Sequence, residues 1–106
     1  MHVIADICVI PTTGELSLRE PIARAHAILR ASGLPVTLHA WGTNVEGPIE
    51  RVLALIETLH RELHESGVPR VSTMIKLGSR TDKTQHMQDK LDAVESLLAA
   101  SEDATP

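Results

Sequence analysis

Six histidines, a single cysteine and a scatter of carboxylates are the residues of this chain that could carry chemistry. His60 and His64 stand four apart, with Glu57 three before His60, so all three can share one helical face. A metalloprotease helix needs a glutamate directly after its first histidine to act as base. Arg61 occupies that position, so the trio reads as a charged, solvated face. His2, His26 and His86 are scattered along the chain and read as surface residues, and no metal site is expected. Cys8 has no histidine to activate it except His39, which makes it a weak candidate nucleophile. There is no Gly-rich phosphate loop, nucleophile elbow or paired-cysteine motif, and so no catalytic residue or cofactor is assigned. Arg80, Asp82 and Lys83 admit three readings. They can grip a phosphate through charge-assisted bonds, form an ion-pair network at an interface, or, through Asp82, cap the helix that follows.

The elements that must position these groups are readable from apolar spacing. Val3 to Ile10 is a β-branched run stopped by Pro11 and the turn-like Thr12-Thr13-Gly14. Ser17 and Glu20 have capping-box spacing, and Leu18, Ile22, Ala25, Ile28 and Leu29 then recur at helical intervals until Gly33 and Pro35. Val36 to Trp41 alternates as a second strand. After Gly42, Thr43 to Gly47 forms a short third one. Pro48 opens a second helix with a stripe of Ile49, Val52, Leu53, Ile56, Leu59 and Leu63, ended by Gly67 and Pro69. Val71 to Leu77 alternates again, and a last helix carries Met87, Leu91, Val94, Leu97 and Leu98.

The order β-α-β-β-α-β plus a C-terminal helix predicts an α+β, ferredoxin-like fold. Two helices cover one face of a four-stranded antiparallel sheet, with the first and third strands central. One domain over 1–100 and a flexible polar tail over 101–106 are expected. With Val3, Ala5, Ile7 and Val9 toward the helices, Ile4, Asp6, Cys8 and Ile10 face away, joined by Thr37, His39, Trp41, Ser72, Met74 and Lys76. Such a half-apolar face suits burial against a second copy, or a pocket with a few placed polar groups.

Composition narrows the partners. Hydrophobic residues make up 42% of the 106, but Phe and Tyr are absent and Trp41 is the lone aromatic, so the core must be aliphatic. A net charge of −4 with ten Lys and Arg argues against nucleic acid, which needs a basic patch or stacking platforms. One cysteine excludes an internal disulfide framework and fits a reducing compartment. The N-terminal stretch has neither a basic leader nor a membrane-length apolar run, which makes the cytoplasm the expected location.

Four stretches resemble the thiamine-binding protein family, the group of YkoF-like thiamine and hydroxymethylpyrimidine binders: Ala5 to Pro11, Trp41-Gly42-Thr43-Asn44-Val45-Glu46-Gly47, Gly67 to Val71, and Arg80-Thr81-Asp82-Lys83. The resemblance runs from about Val3 to Leu98. It departs at Asp6, where the family usually carries Glu, and at Cys8, where Ser is common. It implies a non-catalytic binder of thiamine or a precursor, working as a homodimer or dimer of dimers with ligand near subunit interfaces. Asp6 and Glu46 would then accept from the aminopyrimidine and Thr43 and Asn44 would bond ring nitrogens. Trp41 would stack, and Cys8 and His39 would complete the ligand set. Each has a plainer role too: Trp41 as a core or interface anchor, Glu46 as an exposed strand-end carboxylate. Two alternatives remain at this level: a small isomerase-type enzyme with Asp6 and His39 as acid/base pair, by fold analogy alone, and a module whose ligand tunes assembly.

Overall fold

The computed structural model describes residues 1–14 and 18–103. In chain order the elements are β1 (His2–Thr12), α1 (Arg19–Arg30), β2 (Val36–His39), β3 (Gly42–Pro48), α2 (Ile49–Glu65), β4 (Arg70–Ser79) and α3 (Met87–Asp103). The sheet is antiparallel throughout with strand order β2-β3-β1-β4, so the first and third strands are central, as the ferredoxin-like expectation requires.

Alternation along β1 builds the core. Val3, Ala5 and Ile7 are buried against α1 and α2, together with Val45 of β3, Ala25 and Leu29 of α1, and Val52, Leu55, Leu59 and Leu63 of α2. The α2 stripe follows 3-4-4 spacing, so Leu55 lies inside it, and Leu53, expected in the stripe, is exposed. The helix ends in a Schellman motif. The Gly67 N–H donates to the His64 carbonyl (3.0 Å) and the Val68 N–H to the Leu63 carbonyl (3.1 Å). Gly67 takes the positive φ of +103° that this ending favours, and buried Val68 joins Leu63 in the core.

Several boundaries differ from the sequence reading. Pro11 does not stop β1 but lies in it, buried and opposite Val71 of β4. The pairing of β1 with β3 ends at Ile7, so beyond that point β1 has a free edge that tolerates a residue without an N–H. β2 ends at His39, and Ala40-Trp41 form the turn into β3, which places Trp41 off the strand and 85% exposed. Ser17, the expected cap of α1, lies outside the described residues. α3 runs on to Asp103, three residues into the expected tail, because Ala99 and Ala100 favour helix. Its apolar residues Leu91, Val94, Leu97 and Leu98 are all exposed.

Gly42 is where the site depends most directly on a missing side chain. A Cβ there would stand 2.6 Å from the Ile7 carbonyl oxygen and 3.3 Å from the Cys8 Cα, both main-chain atoms that cannot yield cheaply. Gly78, by contrast, has its nearest neighbour at 3.9 Å. Gly42→Ala is expected to lower stability by about 1–3 kcal/mol in urea unfolding, and Gly78→Ala by much less.

Candidate functional site

Residues directly opposite in a ladder share a face, so the register assigns every candidate. Asp6 stands opposite Asn44 of β3 and Lys76 of β4, Thr37 opposite Asn44, and His39 opposite Gly42. Ile4, opposite Glu46, and Cys8, opposite Met74, lie on the same uncovered face. Thr43 does not join them. It pairs with Ile7, points under the helices, is buried, and has its Oγ1 3.4 Å from His26 Nδ1. The expectation that Thr43 and Asn44 act side by side on one ligand is therefore corrected, because neighbours along a strand face opposite ways.

Asp6 and His39 meet. His39 Nε2 lies 2.6 Å from Asp6 Oδ1, across 33 residues of sequence. The Trp41 backbone N–H donates to His39 Nδ1 at 3.2 Å, which assigns the ring its proton on Nε2, directed at the carboxylate. The turn thus holds the imidazole, and the imidazole holds Asp6. About half of the Asp6 side chain remains accessible (47%), so the carboxylate can still receive a donor from outside.

Glu46 behaves differently. It is not an exposed strand-end carboxylate but is buried to 6% exposure. Its Oε2 accepts from His2 Nε2 (2.9 Å), His86 Nδ1 (3.2 Å) and the Met87 backbone N–H (3.3 Å) at the first residue of α3. The two rings meet edge to face, with centroids 5.0 Å apart. His2 and His86, read as surface residues, therefore converge on one buried acid. Only the register and the position of α3 bring them together, and no spacing signals it. The other histidines are engaged elsewhere: His60 with Thr73 Oγ1 (3.1 Å) and His64 with the Val68 carbonyl (2.8 Å), while Glu57 pairs with Arg61.

Arg80 and Asp82 form a two-pronged pair, with Nε donating to Oδ1 at 2.6 Å and Nη2 to Oδ2, and Arg80 Nη1 reaches Gln85 Oε1 at 3.0 Å. Asp82 is thus not the cap of α3. Inside the first turn, Asp89 instead supplies the acidic half of a capping box, its carboxylate accepting from the His86 N–H (2.9 Å) three residues earlier. Arg80, Asp82 and Lys83 line a cleft of about 680 Å3 together with Met1, His2 and Ile4.

The model of the thiamine-binding protein family matches residues 5–95. The chain belongs to the thiamine-binding protein family. UPF0045 protein ECM15 of Eremothecium gossypii is 41% identical over 100 residues, covering 93% of this chain and 95% of the relative. UPF0045 protein sll0230 of Synechocystis is 38% identical over 101 residues, covering 95% and 84%. Among solved structures, protein MJ1052 of Methanocaldococcus jannaschii superposes with a TM-score of 0.80 at 26% identity, over 89% of this chain and 96% of that one. A Thermotoga maritima protein assigned provisionally to thiamine biosynthesis or salvage gives 0.78 at 21% identity, over 89% and 99%.

In this member of the thiamine-binding protein family, one of the segments that carried the resemblance reaches the start of α3, a few residues past another. Trp41 to Gly47 spans the hairpin turn and β3, and Arg80 to Lys83 precedes α3. Glu46 from the first reaches His86, just beyond the second. The Arg80 guanidinium, hydrogen-bonded to Asp82, holds that carboxyl down at about 2 and is itself raised by it. A depressed carboxylate stabilises the fold above its unfolded value, and the contribution is lost as pH falls toward 2. Arg80→Ala should return Asp82 to the ordinary carboxylate range, read by carboxyl-carbon NMR titration.

Proposed function

We propose that this chain is a non-catalytic binding protein for thiamine or a precursor such as hydroxymethylpyrimidine, with the ligand at the uncovered sheet face beside Asp6, His39 and Asn44. The Asp6–His39 pair carries the reading. An aminopyrimidine offers N–H donors that a fixed, half-exposed carboxylate can accept, and a thiazolium cation is favoured by the same negative charge. Trp41 stands next to the pair, its ring exposed and its main chain tied to His39, where it can stack on a flat heterocycle. Cys8, two residues beyond Asp6 on the same face, adds a small soft wall. Family membership supports the ligand class, as does the thiamine-related assignment of the Thermotoga structural neighbour.

Binding is favoured over turnover because both nitrogens of His39 are engaged, one by Trp41 and one by Asp6, which suits positioning better than proton shuttling. A phosphorylated ligand has a second anchor. Ile4 lines the cleft of Arg80 and Lys83, and Asp6 follows two residues along the same face, roughly 7 Å away. Calorimetry and Trp41 fluorescence with thiamine, hydroxymethylpyrimidine and thiamine phosphates test the reading. Asp6→Asn should weaken binding roughly 10–150-fold, equivalent to about 1.5–3 kcal/mol. No heat and no fluorescence change with any of these compounds would sink it.

The ligand face also suits self-association into a dimer or dimer of dimers. Met74 is 67% exposed on that face and Leu97 of α3 is 73% exposed, an apolar spread that a second copy would cover. Met74→Glu and Leu97→Glu should each shift the sedimentation coefficient of the assembly toward that of a single chain. Running the wild type with and without thiamine shows whether ligand and assembly are coupled.

A further inference from the structure

We propose that His2, Glu46 and His86 form a binding site for a divalent transition-metal ion of the Zn2+ class, independent of the thiamine reading. The three come from the start of β1, from β3 and from the residue before α3, and each offers a ligand atom within 4.8 Å of the others. Two imidazoles with one carboxylate, and a coordination position left for water or a ligand, is a donor set suited to borderline ions such as Zn2+ and Co2+. Magnesium and calcium prefer oxygen alone.

Two of the three ligand-to-ligand distances lie close to those such an ion sets. Tetrahedral zinc with bonds near 2.0–2.1 Å sets neighbouring ligand atoms roughly 3.3–3.4 Å apart. The carboxylate oxygen here stands 2.9 Å from His2 Nε2 and 3.2 Å from His86 Nδ1. Lengthening these two distances by a few tenths of an ångström, drawing the two imidazole nitrogens, which lie within 4.8 Å of each other, to tetrahedral spacing, and transferring each N–H to the other ring nitrogen would convert the hydrogen-bonded cluster into a metal cradle. The near-perpendicular rings, 73° between planes, let both nitrogens approach the same point without stacking.

Electrostatics favours the exchange. Glu46 is a buried carboxylate whose compensation comes from neutral or partly exposed donors, and a dication between the same groups neutralises it more completely. The Met87 N–H at the start of α3 holds the carboxylate in place. A metal would fasten β1, β3 and α3 together, and His2 also lines the cleft beside Arg80 and Lys83, so an anion bound there would lie near the ion.

The experiment is calorimetric titration of the full chain, made without added histidine tags, with Zn2+ alone, and visible spectroscopy with Co2+ alone. One Zn2+ per chain and the intense Co2+ bands of a four-coordinate ion are expected. His2→Ala and His86→Ala, both at partly exposed positions, should each weaken Zn2+ binding roughly tenfold or more, as should Glu46→Gln. His64→Ala should leave binding unchanged, and Asp6→Asn, which tests the thiamine site, should not affect Zn2+. Absence of stoichiometric Zn2+ binding overturns the proposal, as does binding that survives both His2→Ala and His86→Ala.

Discussion

Because β1 is paired on both sides between its first residues and Ile7, its side chains have no freedom to choose a face. Burying Val3, Ala5 and Ile7 under the helices forces Ile4, Asp6 and Cys8 onto the other side of the sheet. A slip of one residue would drive the Asp6 carboxylate into a mainly aliphatic core and expose three of its most buried side chains. Everything the uncovered face can do follows from that alternation, since β3 and β4 take their own phases from their register with β1. Asn44 and Glu46 inherit the open side, and Val45 and Thr43 the buried one.

The face is then finished by groups that lie beyond the strands. The turn at Ala40-Trp41 supplies the N–H that orients His39, and the first turn of α3 supplies the N–H that meets Glu46. Gly42 permits the first of these by letting the hairpin approach the main chain of Ile7 and Cys8. The two carboxylates are therefore positioned by main-chain donors on either end of the same sheet, each through a different local device.

The sequence carried the fold and the face of β1 because both rest on local periodicity: β-branched alternation in the first strand and the apolar stripes of α1 and α2. It carried the Asp6–His39 neighbourhood for the same reason, since both residues fall on the away-facing phase. It misplaced Trp41 because alternation continues through Ala40 and Trp41 while the chain has already turned. Thr43 was grouped with Asn44 by adjacency in a motif, where strand geometry separates them. Leu53 fitted a helical stripe as well as Leu55 does on paper, and only the sheet beneath α2 decides between them. The convergence of His2 and His86 on Glu46 spans contacts forty or more residues apart. No local spacing encodes it.

Asp6 and Glu46 show how one sheet face can give the same functional group two different tasks. Asp6 has one imidazole partner and an accessible flank, so it keeps acceptor capacity for a molecule arriving from solvent. Glu46 has two imidazoles and an amide on a single oxygen and lies beneath the start of α3, so a flat heterocycle could reach it only by displacing those partners. A compact ion needs no such displacement, because it substitutes for protons already lying between the same atoms. Ligand size thus separates the two sites more sharply than charge does: the half-open carboxylate suits an organic cation or aminopyrimidine, and the enclosed one a metal.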